Sequence, residues 1–180
     1  LGSAGHAEYA LKLTDNDLTV IGLDRDIEAL ERSRKRLGNS ANIILKESNY
    51  CDLDKVLDNL NIKKVNRIML DLGLSSDQFE TSGRGFTFKN DEPLLMTFKK
   101  DPKDGDLTAH QIVNTWQEEN IADIIYGYGE EKYSRRIARA IVNYRGKKSI
   151  ETTGELVEII SQAVPKKKKK GRLHPATRTF

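Results

Sequence analysis

In its first part the chain alternates short β-rich apolar runs with longer stretches whose apolar residues recur every three to four positions. Residues 6–13 can form a short helix, and the run Leu18-Thr19-Val20-Ile21-Gly22-Leu23 has strand length and ends in Asp24. Residues 26–37 follow with Ile27, Leu30, Arg34 and Leu37 on one face, acids in the first turn and Gly38 just past the end, which together predict a helix. Ile43-Ile44-Leu45 predicts a second strand, Leu53, Val56, Leu57 and Leu60 a helical stripe, and residues 65–70 a third strand ending in Asp71. This rhythm calls for a Rossmann-like α/β arrangement, a parallel sheet covered by helices.

The pattern changes after Asp71. Residues 73–104 have no sustained period and hold two of the four prolines, which predicts a long functional loop. From Thr108 the spacing is helical. Ile112, Val113 and Trp116 mark one helix, Ile121, Ile124 and Ile125 a second, and Tyr133, Ile137, Ile141 and Tyr144 a third. Thr152-Thr153-Gly154-Glu155 has capping-box spacing ahead of Leu156, Ile159 and Ile160, and Pro165 closes that helix. The expected division is an α/β unit over 1–104, including the loop, and a helical subdomain with a basic loop over 105–180. A glycine turn such as Gly2-Ser3-Ala4-Gly5 normally follows a buried strand, and residues 175–180 stop without a terminating signal, so the chain reads as cut at both ends.

Composition narrows the class. With 37% hydrophobic and 32% charged residues, and no apolar run near the roughly 20 residues of a bilayer crossing, the chain reads as soluble and cytoplasmic, with no membrane partner. A single cysteine excludes a disulfide framework and a Cys-rich zinc site, and three scattered histidines leave no metal expected. Cys51 is expected to be a small buried residue. The formal charge of +3 belongs to one tail: the last fifteen residues hold seven Lys or Arg and no acid, and without them 23 bases face 27 acids. Any nucleic-acid surface is therefore local.

Ligands of an open parallel sheet sit beyond the carboxyl ends of its strands. The glycine turn there lets backbone N–H groups approach a ligand at a helix N-terminus. Asp24 follows Gly5 by about 20 residues, the separation at which a carboxylate accepts ribose hydroxyls. Asp71 ends the third predicted strand and faces the same crevice. The turn is not the G-x-G-x-x-G of a dinucleotide site, which favours S-adenosylmethionine, a nucleoside without phosphate, over NAD. Read alone, the turn serves equally as a structural loop.

Six stretches carry a family resemblance: Gly2-Ser3-Ala4-Gly5-His6-Ala7-Glu8, Gly22-Leu23-Asp24-Arg25-Asp26, Leu70-Asp71-Leu72-Gly73-Leu74-Ser75-Ser76, Arg84-Gly85-Phe86-Thr87-Phe88, Tyr128-Gly129-Glu130-Glu131 with Arg136-Ile137-Ala138, and His174-Pro175-Ala176-Thr177-Arg178-Thr179-Phe180. In order and spacing the chain resembles the MraW/RsmH family, bacterial enzymes that methylate N4 of one cytidine in the decoding region of small-subunit (16S) ribosomal RNA. The resemblance implies a class I S-adenosylmethionine-dependent methyltransferase fold with an inserted helical subdomain. It implies that Ala4, Gly5 and His6 line the methionine and ribose side, that Asp24 holds the ribose hydroxyls, that Tyr50 lies against the adenine, and that Asp71 and Gln78 complete the pocket. It also implies the assembling 30S subunit as partner, with no DNA.

For an exocyclic amine, acceptors must lie near the transferred methyl, and Asp71 is the catalytic candidate, a role in orienting the methionine amino group being the alternative. The target base must leave its stack, and Phe86 or Phe88 on the glycine-flanked loop could receive it. Further RNA candidates are Arg84, Arg135 and Arg136, and, in the tail, Lys166, Lys168 and Arg178. Two residue-level departures from the family pattern stand out. Ala4 replaces the usual Gly, acceptable only where the backbone does not need positive φ. Pro93-Leu94-Leu95-Met96-Thr97-Phe98 replaces Pro-Leu-Asp-Met-Arg-Met. The family's closing strands, with a Ser-Phe-His-Ser-Leu-Glu-Asp motif, do not occur here, so the second expectation is a truncated, non-catalytic RNA-binding or interaction module derived from that enzyme.

Overall fold

A computed structural model describes residues 1–74, 79, 82–99, 101–103, 105–165 and 173–180. The chain divides into two units, one formed by 1–75 with 98–101, the other by 76–97 with 102–180. Lys166, Lys168 and Gln78 lie outside the described residues. Among the described residues no helix is long and apolar enough to cross a membrane.

The first unit is α/β. Helix α1 spans Gly5–Leu13, strand β1 Val20–Asp24, helix α2 Ile27–Leu37, strand β2 Ile43–Glu47 and helix α3 Leu53–Asn59. β1 and β2 pair in parallel from Val20 opposite Ile43 to Asp24 opposite Glu47, so both strands end at the same edge. Gly22 sits at the middle of β1 because a Cβ there would meet Leu1 Cδ2 at 2.8 Å and Leu45 Cδ2 at 2.9 Å. Asp26 caps α2 by accepting the N–H of Glu28 at 3.0 Å. The buried face of α2 is Ala29, Leu30 and Ser33, whereas Ile27, expected on that face, is 44% exposed. Small side chains let this helix lie close against the turn that precedes α1.

Residues 65–70 do not form the expected third strand. They belong to no ladder, and Val65, Ile68, Met69 and Leu70 are exposed. Extended backbone becomes a strand only when a neighbour supplies hydrogen-bond partners, and among the described residues none runs beside it. Periodicity reports the tendency of the segment and not the presence of a partner.

The second unit packs α4 (Ala109–Thr115), α5 (Glu118–Gly129), α6 (Ser134–Arg145) and α7 (Thr153–Ala163) around Ile121, Ile137, Ile141, Ile150 and Ile160, all essentially inaccessible. Thr152 caps α7 by accepting the N–H of Glu155 at 3.3 Å. Glu155 Oε2 accepts the N–H of Glu151 at 2.7 Å, one residue outside the usual capping box. The stretch between 82 and 97, expected as part of a functional loop beside the first unit, is built into this second one. Glu92 Oε2 accepts the N–H of Gly85 at 2.8 Å and its own N–H donates to Thr153 Oγ1 at 3.0 Å. Leu94 N donates to Glu151 O at 3.0 Å and Met96 N to Arg84 O at 2.7 Å. Leu94 is 1% exposed and Thr97, where the family pattern has Arg, is buried at 7%. Gly85 is required, since its φ is +76° and a Cβ would stand 2.5 Å from Pro93 O.

Candidate functional site

The site of the first unit is built at the common end of β1 and β2. Asp24 closes β1, and its carboxylate is held by backbone. Oδ2 accepts the N–H of Gly2 at 2.9 Å and lies 3.3 Å from the Leu1 nitrogen, and Oδ1 accepts the N–H of Asp26 at 3.0 Å. A carboxylate offers about four lone-pair directions. Two backbone donors fix its orientation and leave acceptor capacity for hydroxyl groups, with the side chain 15% exposed.

The turn before α1 is anchored from α2. Ser33 Oγ donates to Gly2 O at 3.0 Å, and Arg36 Nη1 donates to Ser3 O at 3.2 Å while its Nε meets Glu8 Oε2 at 2.6 Å. Lys12 first, and Arg36 beside it, hold the Glu8 carboxyl below its usual range. Gly2 has φ +59° with nothing within 4 Å of the position a Cβ would take, so the turn presents bare backbone. Ala4 is also left-handed, at φ 60° and ψ 22°, and only 1% exposed. The condition set for alanine at this position is therefore not met: the chain must reverse here to enter α1, and the anchors hold Ala4 in a conformation that costs about 1–2 kcal/mol. No side chain caps α1, which leaves its first N–H groups, from Gly5 and His6 onward, directed toward an incoming acceptor.

His6 Nε2 lies 3.1 Å from Asp71 Oδ2, and both side chains are exposed, at 67% and 73%. The sequence put both residues in one crevice without showing that they pair. Tyr50 opens a 3-10 turn, Tyr50–Asp52, directly after β2. Ser48 N donates to Asp24 O at 2.9 Å, carrying the ladder on by one bond and bringing the turn beside the end of β1. Tyr50 is 54% exposed. Cys51, expected buried, is exposed because Asn49 Oδ1, accepting its N–H at 3.2 Å, turns the chain outward.

The RNA candidates lie in the second unit and divide by burial. Arg84 is 3% and Phe86 8% exposed, held inward by the Gly85–Glu92 turn, and so take part in packing. The Phe88 ring is 5.0 Å from that of His174 and 5.1 Å from that of Phe180. Arg135 and Arg136 are exposed in the first turn of α6, with no ion pair among the described residues. Arg139 Nε instead meets Glu118 Oε1 at 3.3 Å, and Arg145 Nη1 donates to Val113 O at 2.8 Å, capping α4. Arg178 lies in a 3-10 turn, Pro175–Arg178, and donates from Nη1 to Glu130 O at 2.9 Å.

Comparison with known proteins identifies the family. The chain is 42% identical over its whole length to the ribosomal RNA small subunit methyltransferase H of Clostridium botulinum (strain Kyoto / Type A2), covering 57% of that protein. It is 46% identical to the protein of the same name from Thermosipho africanus, of which it covers 60%, and 42% identical to that of Brevibacillus brevis, covering 57%. The chain thus spans somewhat under two thirds of the curated relatives it matches. The model of the MraW methylase family matches residues 1–180. With its parallel strands, helices and glycine turn of class I methyltransferase type, the chain belongs to the MraW methylase family.

Proposed function

We propose that the protein transfers a methyl group from S-adenosylmethionine to N4 of a cytidine in the decoding region of small-subunit (16S) ribosomal RNA, acting in the cytoplasm on the RNA or the assembling 30S subunit. The observation that carries this reading is the Asp24 carboxylate, oriented by Gly2 and Asp26 beside a turn of bare backbone. The names of the relatives supply the ribosomal substrate.

The residues present fit a nucleoside cofactor. Asp24 has acceptor capacity for ribose hydroxyls, and Tyr50 exposes a ring for an adenine at the same sheet edge. Gly5 and His6 offer backbone donors at the start of α1 for a carboxylate, the Ala4 N–H being taken by Leu1 O at 3.1 Å, and Gln78, expected in the same set, lies outside the described residues. When bound, S-adenosylmethionine supplies an electrophilic methyl on a sulfonium. The amine of cytosine is a poor nucleophile because its lone pair is delocalised into the ring. Asp71 accepts one of its N–H groups, which localises the lone pair, and takes the proton released as the N–C bond forms and the S–C bond breaks. His6, in hydrogen-bond reach of Oδ2, fixes which oxygen of Asp71 remains free.

Titration calorimetry with S-adenosylmethionine tests the site. Asp24→Ala is expected to weaken binding by about tenfold or more, since paired hydroxyls lose a charged acceptor. Unchanged affinity removes Asp24 from the site. The reading as a non-catalytic RNA-binding module is favoured by one observation, the exposed residues 65–70 outside any ladder. Absence of cofactor binding together with retained RNA binding would establish it.

A further inference from the structure

Helix α5 ends in Tyr126-Gly127-Tyr128-Gly129, with both tyrosines exposed, Tyr128 at 91%. Two glycines in the last turn of a helix each sacrifice up to about 1 kcal/mol of propensity relative to alanine. Gly129 has a packing reason, because a Cβ there would stand 1.8 Å from Arg178 O. Gly127 has none: nothing lies within 4 Å of the position a Cβ would take. A glycine that no described residue crowds, set between two solvent-facing rings, leaves the helix backbone open to close approach from outside.

The charges around these rings are mostly of one sign. The chain turns through residues 130–133 into α6, so Lys132, Arg135 and Arg136 stand at the same end of the helix pair, all exposed. The bond from Arg178 Nη1 to Glu130 O brings a fourth cation to this end. Glu130 is the exposed acid of the turn, while Glu131 is buried, its Oε1 accepting the N–H of Tyr133 at 2.9 Å. Exposed aromatic faces interleaved with unpaired cations take up stacked bases and phosphates together. A folded protein partner would instead be expected to cover a continuous apolar patch, which two separated rings do not make.

We infer that the α5–α6 junction is a docking surface for single-stranded RNA, on which Tyr128 stacks a base and Arg135, Arg136, Lys132 and Arg178 meet phosphates. It rests on the ribosomal RNA reading above and adds where a strand is held and by which chemistry. Stacking sets affinity with little sequence preference, and the phosphate contacts set salt dependence.

The test uses the protein with a fluorescein-labelled single-stranded RNA 12-mer of mixed sequence, read by anisotropy across a salt series, and with S-adenosylmethionine by calorimetry. Tyr128→Ala is expected to weaken RNA binding about fivefold or more, the equivalent of one lost stacking contact, with the salt slope unchanged. The double variant Arg135→Gln, Arg136→Gln is expected to weaken binding and to lower the slope of log affinity against log salt by about one unit. Gly127→Leu adds a side chain whose Cβ has no described neighbour within 4 Å, and it is expected to weaken RNA binding while the far-ultraviolet dichroism keeps its helical signal. RNA binding by the parent protein that all three variants retain overturns the surface and leaves the methyltransferase reading standing. Cofactor binding by a parent that ignores the 12-mer also overturns the surface. Failure of cofactor binding, with RNA binding that the variants lose, upholds the surface and removes the methyltransferase reading.

Discussion

The two glycines at the end of α5 make opposite predictions for one substitution. An alanine at 129 would place its Cβ 1.8 Å from the carbonyl oxygen of Arg178 and 3.0 Å from its carbonyl carbon, where ordinary contact begins at 3.4 Å. The Pro175–Arg178 turn must therefore retreat by more than an ångström. That withdraws the Arg178 bond to Glu130 O, about 1 kcal/mol at an exposed site. It also disturbs Ala176, which is fully buried, and the ring contacts of Phe88 with His174 and Phe180, each worth about 0.5–1.5 kcal/mol when intact. Alanine returns at most about 1 kcal/mol of helix propensity. The net expectation for Gly129→Ala is a loss of about 1–3 kcal/mol, a midpoint roughly 2–12 °C lower at this chain length. Gly127→Ala, in the same helix but with open space, is expected to gain about 0.5–1 kcal/mol. The single tryptophan, Trp116, packs against the core of the same unit, so its fluorescence during urea unfolding reports the relevant transition. Equal stability of Gly129→Ala and the parent, or an equal loss from Gly127→Ala, would refute the close approach as the reason for Gly129.

Other substitutions separate the remaining arguments. Thr153→Val keeps the shape of a fully buried side chain but removes Oγ1, which accepts from Glu92 N and donates to Asn90 O, and a loss of about 2–4 kcal/mol is expected by urea unfolding. Ala4→Val puts a β-branched residue at φ 60° where only 1% of the surface is open, and at least about 2 kcal/mol should be lost, whereas Ala4→Gly should stay within about 1 kcal/mol because relieved strain offsets the lost methyl burial. Asp71→Asn should lower the rate of methyl transfer to 16S RNA about 100-fold with cofactor affinity nearly unchanged; an equal fall in affinity would make it a cofactor-orienting group. Glu155 is held below its usual carboxyl range by Lys148 Nζ and the N–H of Glu151, so its contribution is present at neutral pH and fades as pH falls through its folded value, below 4.5. The stability gap between the parent and Glu155→Gln should accordingly close on acidification, and a gap independent of pH would show that the ion pair is not its source.

Local order was legible in the residues themselves. The helices ran close to where 3.6-residue spacing put them, with Thr152 capping the last of them as its spacing indicated and Asp26, expected in a first turn, serving as a cap instead, because caps and amphipathic spacing act within a few residues. The run Leu18 to Leu23 likewise placed Asp24 at the end of a strand, since strand length and its closing residue are properties of local sequence. What depended on neighbours was not legible. Residues 65–70 carry strand chemistry but no ladder, since a strand exists only through a second backbone. Phe86 looks like a base-stacking residue on a glycine-flanked loop, yet the bonds joining Glu92 to Gly85 and to Thr153, which lies 61 residues on, fold that loop into the helical unit. Gly127 and Gly129 are the same residue two positions apart in one helix, and only the return of the chain at Arg178 makes one indispensable and leaves the other facing water. Short-range preferences of the chain thus set the elements and the turn, while contacts between residues far apart in sequence decided which side chains are buried and which remain free to meet a ligand.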